Sequence, residues 1–150
     1  MEVYRITAAK YGKKLSASGA PNRWNGENQY VIYAAESRAL AALEMVAHRS
    51  SKMRKDNFKI LAISLPDSRK YFEEMPLDEL PLNWKTMKAY NQLQRLGEEW
   101  YRSKRKLVLR VPSVLVDGEY NYVINTNHPD FEKHVTLETV NDFEWDNRLL

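Results

Sequence analysis

The chain has 150 residues, of which 43% are hydrophobic and 29% charged, so it can bury the core of one domain and is too apolar to be disordered. It contains no cysteine, which excludes disulfides, zinc–thiolate sites and thiol nucleophiles. The net charge of +3 fits an anionic ligand as well as a nucleic acid, and the lack of a membrane-length apolar run or a signal pattern predicts a cytoplasmic protein with no membrane partner.

The first half of the chain predicts two strands and a capped helix. The residues EVYRIT (2–7) and YVIYAA (30–35) have the β-branched and aromatic content of strands. The segment 10–29 between them is rich in Gly, Ser, Asn and Pro, which is typical of a loop. Ser37 then precedes a helical pattern and is placed to cap a helix over 38–49.

The middle of the chain predicts another strand and one long helix. The residues FKILAISLP (58–66) indicate a buried strand closed by Pro66, and the proline-containing segment 67–82 is expected to be irregular. Large apolar residues at three- and four-residue steps predict a core-facing helix from 84 to about 103. These residues are Trp84, Met87, Tyr90, Leu93, Leu96 and Trp100.

The last third contains three more predicted strands, at 106–113, at 121–125 and within 135–146, with a turn at Asp117–Gly118 between the first two. Because strands and helices mix without a regular βαβ alternation, we predict an α+β fold. No linker or repeat interrupts the sequence, so the prediction is a single domain over residues 1–150.

Two basic clusters follow the predicted helices: HRSSKMRK (48–55) and YRSKRK (101–106). Positive charge is favourable at a helix C-terminus, which explains both clusters without a ligand. The other interpretation is DNA or RNA binding, but no helix-turn-helix, zinc-finger or RNA-recognition pattern accompanies the clusters. We therefore expect no direct nucleic-acid binding and keep an RNA-binding or RNA-cleaving protein as an alternative.

Glu44 lies at the edge of the apolar stripe of the first predicted helix, beside Leu40 and Ala47 on a helical wheel. A carboxylate is costly to bury there unless it is paired or hydrogen-bonded. Three interpretations stay open: the helix edge is exposed, Glu44 pairs with a basic residue, or Glu44 lines a cleft.

Four other residues are candidates for a binding site. Arg5 lies within a predicted strand and Arg23 in a glycine-containing loop, where each guanidinium either points to solvent or grips a phosphate or carboxylate. Tyr33 ends its strand and is either a core residue or a flat surface for a ring. Ser113 follows Pro112 at a strand end and offers either a turn hydroxyl or a ligand contact. Together these side chains indicate an anionic ligand that carries a ring.

No sequence motif points to a metal or to a common nucleotide site. The histidines His48, His128 and His134 have no metal-ligand spacing, so we expect no metal. There is also no P-loop, dinucleotide fingerprint or Gly-x-Ser-x-Gly motif. Any chemistry is therefore expected from arginine, tyrosine, glutamate and serine side chains.

Six short segments, taken in order, resemble the RES-domain family. They are VYRIT, SGAPNRWN, YVIYAAESRALAALE, LRVPSVLV, NYVINTNHPDF and WDNRLL, and the resemblance extends from Val3 to Leu149. It implies a toxin of a bacterial type II toxin–antitoxin module, with a fold similar to ADP-ribosyltransferases of the diphtheria-toxin kind. It also implies degradation of NAD⁺ and an Xre-like helix-turn-helix antitoxin that covers the active site, and it allows a homodimer within the complex.

The resemblance also implies roles for individual residues. The positions that match the family pattern are Arg5, Arg23, Trp24, Asn25, Tyr33, Glu44, Ser113, Asn121 and Asn125. The implied catalytic set is Glu44, Arg5, Tyr33 and Ser113, and the implied NAD⁺-binding set is Arg5, Arg23, Tyr33, Ser113 and Asn121. The chain departs from the family at Asn28, where Gly is common, and at NTNHP, where NPxHP is common. Asparagine tolerates the positive φ of such a turn, so the first departure is acceptable.

The implied activity is that of a NAD⁺ glycohydrolase. Glu44 is expected to face the ribose, because cleavage of the nicotinamide–ribose bond builds positive charge on that ring. Arg5 and Arg23 are expected to hold the pyrophosphate, Tyr33 to stack on nicotinamide, and the remaining polar residues to position the ribose or the amide. Two alternatives stay open: an ADP-ribosyltransferase that modifies a protein or a small molecule, and an RNA-directed toxin.

Overall fold

A mixed sheet of seven strands forms the centre of the computed structural model, which describes residues 1–48 and 57–149. In chain order the strands are β1 (Glu2–Ala8), β2 (Val31–Ala35), β3 (Phe58–Ser64), β4 (Phe72–Glu74), β5 (Val108–Pro112), β6 (Tyr120–Asn125) and β7 (Thr136–Phe143). Across the sheet they lie in the order β4-β5-β6-β2-β1-β3-β7. β4 and β5 run parallel, and the other described neighbours are antiparallel. Together with the helices, this sheet confirms the predicted α+β fold.

Three helices accompany the sheet in the described residues: α1 (Arg38–Ala47), α2 (Tyr90–Ser103) and α3 (Phe131–His134). The start of α1 follows from its cap, because the Ser37 hydroxyl accepts a hydrogen bond from the Leu40 backbone N–H at 3.0 Å. This confirms the capped helix that the sequence predicts. Within the described part of the chain, no helix is both long and apolar enough to cross a membrane.

The two faces of the sheet carry separate apolar clusters, since consecutive side chains of a strand alternate between faces. On β2, Ile32 and Ala34 belong to a cluster on one face, whereas Val31 and Tyr33 pack on the other face. That other face, called the helix face below, is covered by α1 and α2. The alternation therefore sets which β2 side chains lie under the helices.

The contact between β1 and β2 is much shorter than the contact between β1 and β3. β1 pairs with β3 at seven positions along its whole length, whereas its described pairing with β2 is the one position Tyr4↔Ala35. Beyond that position the strands separate, and Arg5 donates a hydrogen bond from Nη1 to the Tyr33 carbonyl at 3.2 Å. We call this gap between β1 and β2 the seam. It places a charged side chain in the middle of the sheet.

The prediction of a helix from residue 84 was wrong at its start, since α2 begins at Tyr90. The residues before α2 form consecutive turns, in which Thr86 donates its backbone N–H (2.9 Å) and its hydroxyl (2.7 Å) to the Asn83 carbonyl. Side-chain bonds of this kind compete with the α-helix. Met87, which was assigned to the core, is 74% exposed because it precedes the regular helix.

Two short elements were not predicted. β4 lies within the segment 67–82, which was expected to be irregular, and α3 lies between the last two strands. β4 has three residues at the edge of the sheet and is too short to show an alternation in the sequence. The strand predicted at 58–66 ends at Ser64, and the basic cluster 48–55 lies outside the described residues except for His48.

Candidate active site

Glu44 is held over the sheet by a hydrogen bond from Asn121. Its Oε1 atom accepts from Asn121 Nδ2 at 2.7 Å, and its side chain is 26% exposed. Its Oε2 atom lies 3.9 Å from Nε2 of His48, one turn further along the chain. The carboxylate is thus partly buried and bound to an amide, and its second oxygen makes no hydrogen bond within the described chain.

The packing of α1 explains this position of Glu44. Leu40 and Ala41 are buried against the sheet, and Glu44 follows Leu40 by four residues on the same side of the helix. Asn121 stands opposite Ala35 where β6 pairs with β2, and its side chain meets α1 on the helix face. Glu44 therefore lies above the junction of β6 and β2.

Tyr33 lies two residues before Ala35 on β2, about 7 Å along the same face. Its hydroxyl donates to Asn25 Oδ1 at 2.6 Å and accepts from the Trp24 backbone N–H at 3.1 Å, so it fastens the loop that carries Arg23. Burial raises the pKa of Tyr33 well above the usual range of a phenol, so the hydroxyl stays protonated even at alkaline pH where a free phenol ionises. Stacking of its ring on nicotinamide stays a prediction.

Arg23 lies in the loop that the Tyr33 hydroxyl holds, and its guanidinium contacts the segment before α2. Its Nη1 atom donates to the Trp84 carbonyl at 3.4 Å, and its guanidinium lies 5.6 Å from the centre of the Tyr90 ring. Burial raises the pKa of both Tyr33 and Tyr90, and the positive charge of Arg23 acts against that rise in each. Arg23 forms no ion pair with the described residues, so its charge is available to an anion.

Two residues of α2 that the sequence analysis missed hold the Arg23 loop in place. Gln94 donates from Nε2 to the carbonyls of Asn22 at 3.1 Å and Asn25 at 2.9 Å. Gly97 lies so close to the loop that a Cβ atom there would stand 1.8 Å from the Trp24 carbonyl oxygen. A glycine inside an otherwise regular helical pattern is the sequence signal that could have identified this contact.

Arg5 is the charged residue of the seam. It is half-buried, donates one hydrogen bond to the Tyr33 carbonyl and forms no ion pair within the described chain. Burial lowers the pKa of its guanidinium, which means that desolvation disfavours the charged form. A partly desolvated cation without a counter-charge is costly, so a bound anion would stabilise this part of the sheet.

Ser113 acts as a turn hydroxyl, the first of the two roles considered for it. It is 1% exposed, and its Oγ accepts hydrogen bonds from the backbone N–H groups of Leu115 (3.0 Å) and Val116 (3.1 Å). Ser113 thus fixes the start of the loop between β5 and β6. The contact with ribose or amide that the resemblance implies stays a prediction.

The predicted site residues divide between the two faces of the sheet: Tyr33 and Asn121 lie on the helix face, whereas Arg5 follows Val3 by two residues and points to the other face. Arg5, Tyr33 and Asn121 belong to the neighbouring strands β1, β2 and β6. Glu44 is joined to Asn121 by a hydrogen bond, and Arg23 lies in the loop that the Tyr33 hydroxyl holds through Trp24 and Asn25. The helix side of the sheet thus carries the Glu44 carboxylate and the Arg23 loop, while the Arg5 guanidinium reaches the seam from the opposite face.

Two other positions of the family pattern have structural tasks. Asn125 is 0% exposed and its Oδ1 accepts from the Asn127 backbone N–H at 2.9 Å. Asn28 has a φ of 62°, which confirms that asparagine occupies a left-handed turn position here. Among residues 1–48 and 57–149, no three His, Asp or Glu side chains are grouped so that they could hold a metal ion.

Comparison with known proteins identifies the family of the chain. The model of the RES domain matches residues 2–146. "Toxin Res" of Photorhabdus laumondii subsp. laumondii is 30% identical over 154 aligned positions, covering 100% of this chain and 97% of the relative. "Prs ADP-ribosylating toxin" of Sphingobium sp. is 36% identical over 140 positions, covering 91% and 86%.

A solved structure has the same fold. It is the crystal structure of the M. tuberculosis MbcT–MbcA toxin–antitoxin complex, in which one chain matches with a TM-score of 0.72 and 19% identity, over 95% of this chain and 83% of that chain. The likeness concerns the fold, while the match over residues 2–146 decides the family. The chain belongs to the RES domain family.

Proposed function

We propose that this protein is the toxin of a toxin–antitoxin module and that it consumes NAD⁺ by hydrolysing the bond between nicotinamide and ribose. The observation that carries the proposal is the partly buried Glu44 carboxylate, which accepts a hydrogen bond from Asn121 on the helix face of the sheet. The names of two relatives, a "Toxin Res" and an "ADP-ribosylating toxin", support a toxin that uses NAD⁺.

The proposed hydrolysis requires charge stabilisation at the ribose. The bond between the anomeric carbon and the nicotinamide nitrogen breaks, and its electron pair leaves with nicotinamide, so positive charge develops on the sugar as in glycoside hydrolysis. A fixed carboxylate stabilises this transition state more than the ground state, because the charge is absent before the bond stretches. A water oxygen then attacks the anomeric carbon and releases a proton, which yields ADP-ribose and nicotinamide.

In this proposal Glu44 faces the ribose with the oxygen that Asn121 does not engage. Arg5 and Arg23 supply positive charge for the two phosphates, since neither forms an ion pair within the described chain. Tyr33 carries the nicotinamide on its ring while its hydroxyl fixes the Arg23 loop. Nicotinamide leaves as a neutral molecule, so the reaction needs no strong general acid, and no metal is part of the proposal.

The test is the replacement Glu44→Gln, which removes the charge but retains an oxygen that can accept from Asn121. We expect kcat for nicotinamide release to fall at least about 100-fold, the usual effect of losing one preorganised electrostatic group. The matched control is Glu99→Ala, since Glu99 is exposed on α2. NAD⁺ consumption by Glu44→Gln at the wild-type rate would contradict the role of this carboxylate.

A second candidate function is ADP-ribosyl transfer to a protein or a small molecule. The observation in its favour is that the Sphingobium relative, 36% identical to this chain, is named an ADP-ribosylating toxin. NAD⁺ labelled in its adenylate part separates the two reactions. Label recovered as free ADP-ribose supports hydrolysis, whereas label retained on a macromolecule or a small acceptor supports transfer.

The partner in this proposal is an antitoxin, because the structure with the same fold is that of a toxin–antitoxin complex. Its Xre-like helix-turn-helix character and a homodimer within the complex are what the family resemblance implies, and a cytoplasmic site of action stays the prediction made from the sequence pattern. In the basic cluster 101–106, two of the four cations are engaged within the fold, since Arg102 donates to Glu98 at 3.2 Å and Lys106 to the Lys70 carbonyl at 2.9 Å. Co-expression with the antitoxin is expected to suppress NAD⁺ loss.

A further inference from the structure

We propose that a basic patch beside β4 binds the phosphate backbone of duplex DNA without reading its sequence. The patch consists of six cationic side chains from three separate parts of the chain: Arg69, Lys70, Lys104, Arg105, Lys106 and Lys133. None of these residues belongs to the candidate active site, so the inference does not depend on the proposed function.

Two side-chain contacts bring the three parts of the patch together. Lys106, which lies just before β5, donates from Nζ to the Lys70 carbonyl at 2.9 Å. The Tyr71 hydroxyl lies 3.1 Å from Nε2 of His134, the last residue of α3, and the centres of the two rings are 4.7 Å apart. Every cation of the patch is one of these contact residues or lies within two residues of one, so the positive charges share one surface.

The fold does not neutralise the charges of the patch. None of the six cations forms an ion pair with residues 1–48 or 57–149, whereas Arg102 nearby pairs with Glu98 at 3.2 Å. The bond of Lys106 to a carbonyl leaves its charge uncompensated, and Glu132 is the one acidic residue directly adjacent to the patch in the sequence. Since the net charge of the whole chain is only +3, positive charge is concentrated here, and like charges repel one another until a polyanion binds.

The C-terminus of α2 explains only part of this charge. A helix end favours cations in its last turn, and in α2 that cation is Arg102. Arg69 and Lys70 lie before β4, and Lys133 lies on α3, so these three belong to other elements. The sequence analysis considered the cluster 101–106 alone, because the other cations join it only in the folded chain.

Lys104 has a backbone conformation that favours glycine. It follows the last residue of α2 with a φ of 51° and a ψ of 18°, the left-handed position at which helices most often have glycine. The Cβ atom of a lysine is strained there, so glycine would make the fold more stable. A charged residue that is present despite such strain is typical of a functional position.

The side chains of the patch suit the phosphates of a duplex better than unpaired bases. Single strands bind to exposed aromatic rings, but Tyr71 and Phe72 beside the patch are half-buried against the core. The adjacent hydroxyls are engaged as well, since Ser103 donates to a backbone carbonyl at 2.7 Å and Ser68 accepts from a backbone N–H at 3.4 Å. A DNA duplex presents about one negative charge per 1.7 Å of its axis, so it engages several of the cations at once.

The patch and the Glu44 carboxylate lie at opposite ends of β5 and β6. Where these strands pair, Val108 stands opposite Ile124 at the end near the patch. Asn121, which holds Glu44, stands opposite Val111 towards the other end. Changes in the patch are therefore expected to leave NAD⁺ consumption unchanged.

Fluorescence anisotropy of a labelled DNA duplex of arbitrary sequence tests the inference on the full chain. We expect the logarithm of the affinity to fall with the logarithm of the NaCl concentration with a slope of about −4 to −5, as for about five phosphate contacts. Lys104→Gly should weaken binding about five- to tenfold near 0.1 M NaCl and make the slope shallower by about 1. It should also raise Tm by about 2–4 °C, which shows that the loss of binding is not a loss of folding.

Two further variants complete the test. Arg105→Ala should also make the slope shallower by about 1. Its matched control is Lys88→Ala, because Lys88 is exposed before α2 and lies about 21 Å along the helix axis from the patch. Unchanged affinity of Lys104→Gly, or an equal loss in Lys88→Ala and Arg105→Ala, overturns the patch.

Three other probes test the choice of partner. Tighter binding of poly-glutamate, of single-stranded DNA or of an RNA duplex of the same sequence overturns the assignment to duplex DNA. NAD⁺ consumption by Lys104→Gly at the wild-type rate supports a surface separate from the active site. Failure of the proposed function is recognised independently, by the Glu44→Gln variant.

Discussion

At the scale of single residues, the Tyr33 hydroxyl joins the sheet to the loop of Arg23. It bonds Asn25 Oδ1 and the Trp24 N–H, so Tyr33→Phe leaves one buried acceptor and one buried donor unpaired. We expect this change to lower the free energy of unfolding at neutral pH by about 1–3 kcal/mol. Urea denaturation measures the loss, and Tyr11→Phe is the control because Tyr11 is 58% exposed.

The same variant predicts a difference in alkaline stability. Burial raises the pKa of Tyr33 in the folded protein, so the protonated hydroxyl contributes stability that is complete below the unfolded pKa of about 10 and is lost as the pH rises beyond it. The wild type should therefore lose stability more steeply above about pH 10 than Tyr33→Phe. Parallel pH curves for the two proteins would show that Tyr33 does not carry this linkage.

The residues of the candidate site were named from the sequence, but their contacts could not be predicted from it. The helical spacing of apolar residues placed Glu44 at the edge of the apolar stripe of α1. It left open whether Glu44 is exposed, pairs with a basic residue or lines a cleft. Its partner Asn121 lies 77 positions further along the chain, which periodicity cannot reveal. The same limit applies to Ser113: a serine after a strand-ending proline indicates a turn, and only the folded chain shows that its oxygen accepts from two backbone groups.

At the scale of elements, α2 supports the loop that carries Arg23, and Gly97 is the closest point of contact. An exposed helix glycine usually gains about 1 kcal/mol when replaced by alanine. Gly97→Ala should instead lower the free energy of unfolding by about 1–3 kcal/mol or more, because the new Cβ meets the Trp24 backbone. Thermal denaturation measures this change. Arg95→Ala, at an exposed position of the same helix, is the control, and a Gly97→Ala protein with raised Tm would contradict the contact.

Elements with strong local signals could be predicted, whereas elements set by their surroundings could not. The strand β1 and the helix α1 follow from β-rich composition and from the Ser37 cap. The start of α2 depends on Thr86 and Asn83, whose bonds favour turns over a regular helix. β4 pairs in parallel with β5. Its three residues are too few to show an alternating pattern from which this pairing could be predicted.

At the scale of the whole molecule, Arg5 couples the stability of the fold to its ligand. A partly desolvated charge without a counter-charge costs stability that a hydrophobic side chain of similar length restores. Arg5→Met should therefore give a free protein at least as stable as the wild type. It should also lose the ligand-induced stabilisation, which for the wild type is about 2.7 kcal/mol at 100 times Kd.

Thermal denaturation with and without ADP-ribose measures both quantities for Arg5→Met. The control is Arg95→Met, since Arg95 is exposed on α2 and should leave the ligand effect unchanged. A clear loss of stability in the free Arg5→Met protein would show that the bond to the Tyr33 carbonyl outweighs the cost of the buried charge. An undiminished effect of ADP-ribose would remove Arg5 from the binding site.

The strand order is the part of the fold that the sequence could not supply. The class α+β followed from the irregular mixture of elements, but the pairing of β2 with β6 joins segments about ninety positions apart. Short runs of alternating residues do not specify such partners. β1 and β2 pair at a single described position, which produces the seam, and this could not be predicted from the sequence either.

The strands lie in the sheet in an order that differs from their order in the chain, and this affects when the sheet can form during synthesis. On one side of the seam lie β2, β4, β5 and β6, and on the other lie β1, β3 and β7, so each side combines early and late parts of the chain. A growing polypeptide on the ribosome can complete neither side until its final segments have emerged. Premature stop codons ahead of residue 120 would also remove the amide that holds Glu44, so we expect such fragments to lack the proposed NAD⁺ hydrolysis.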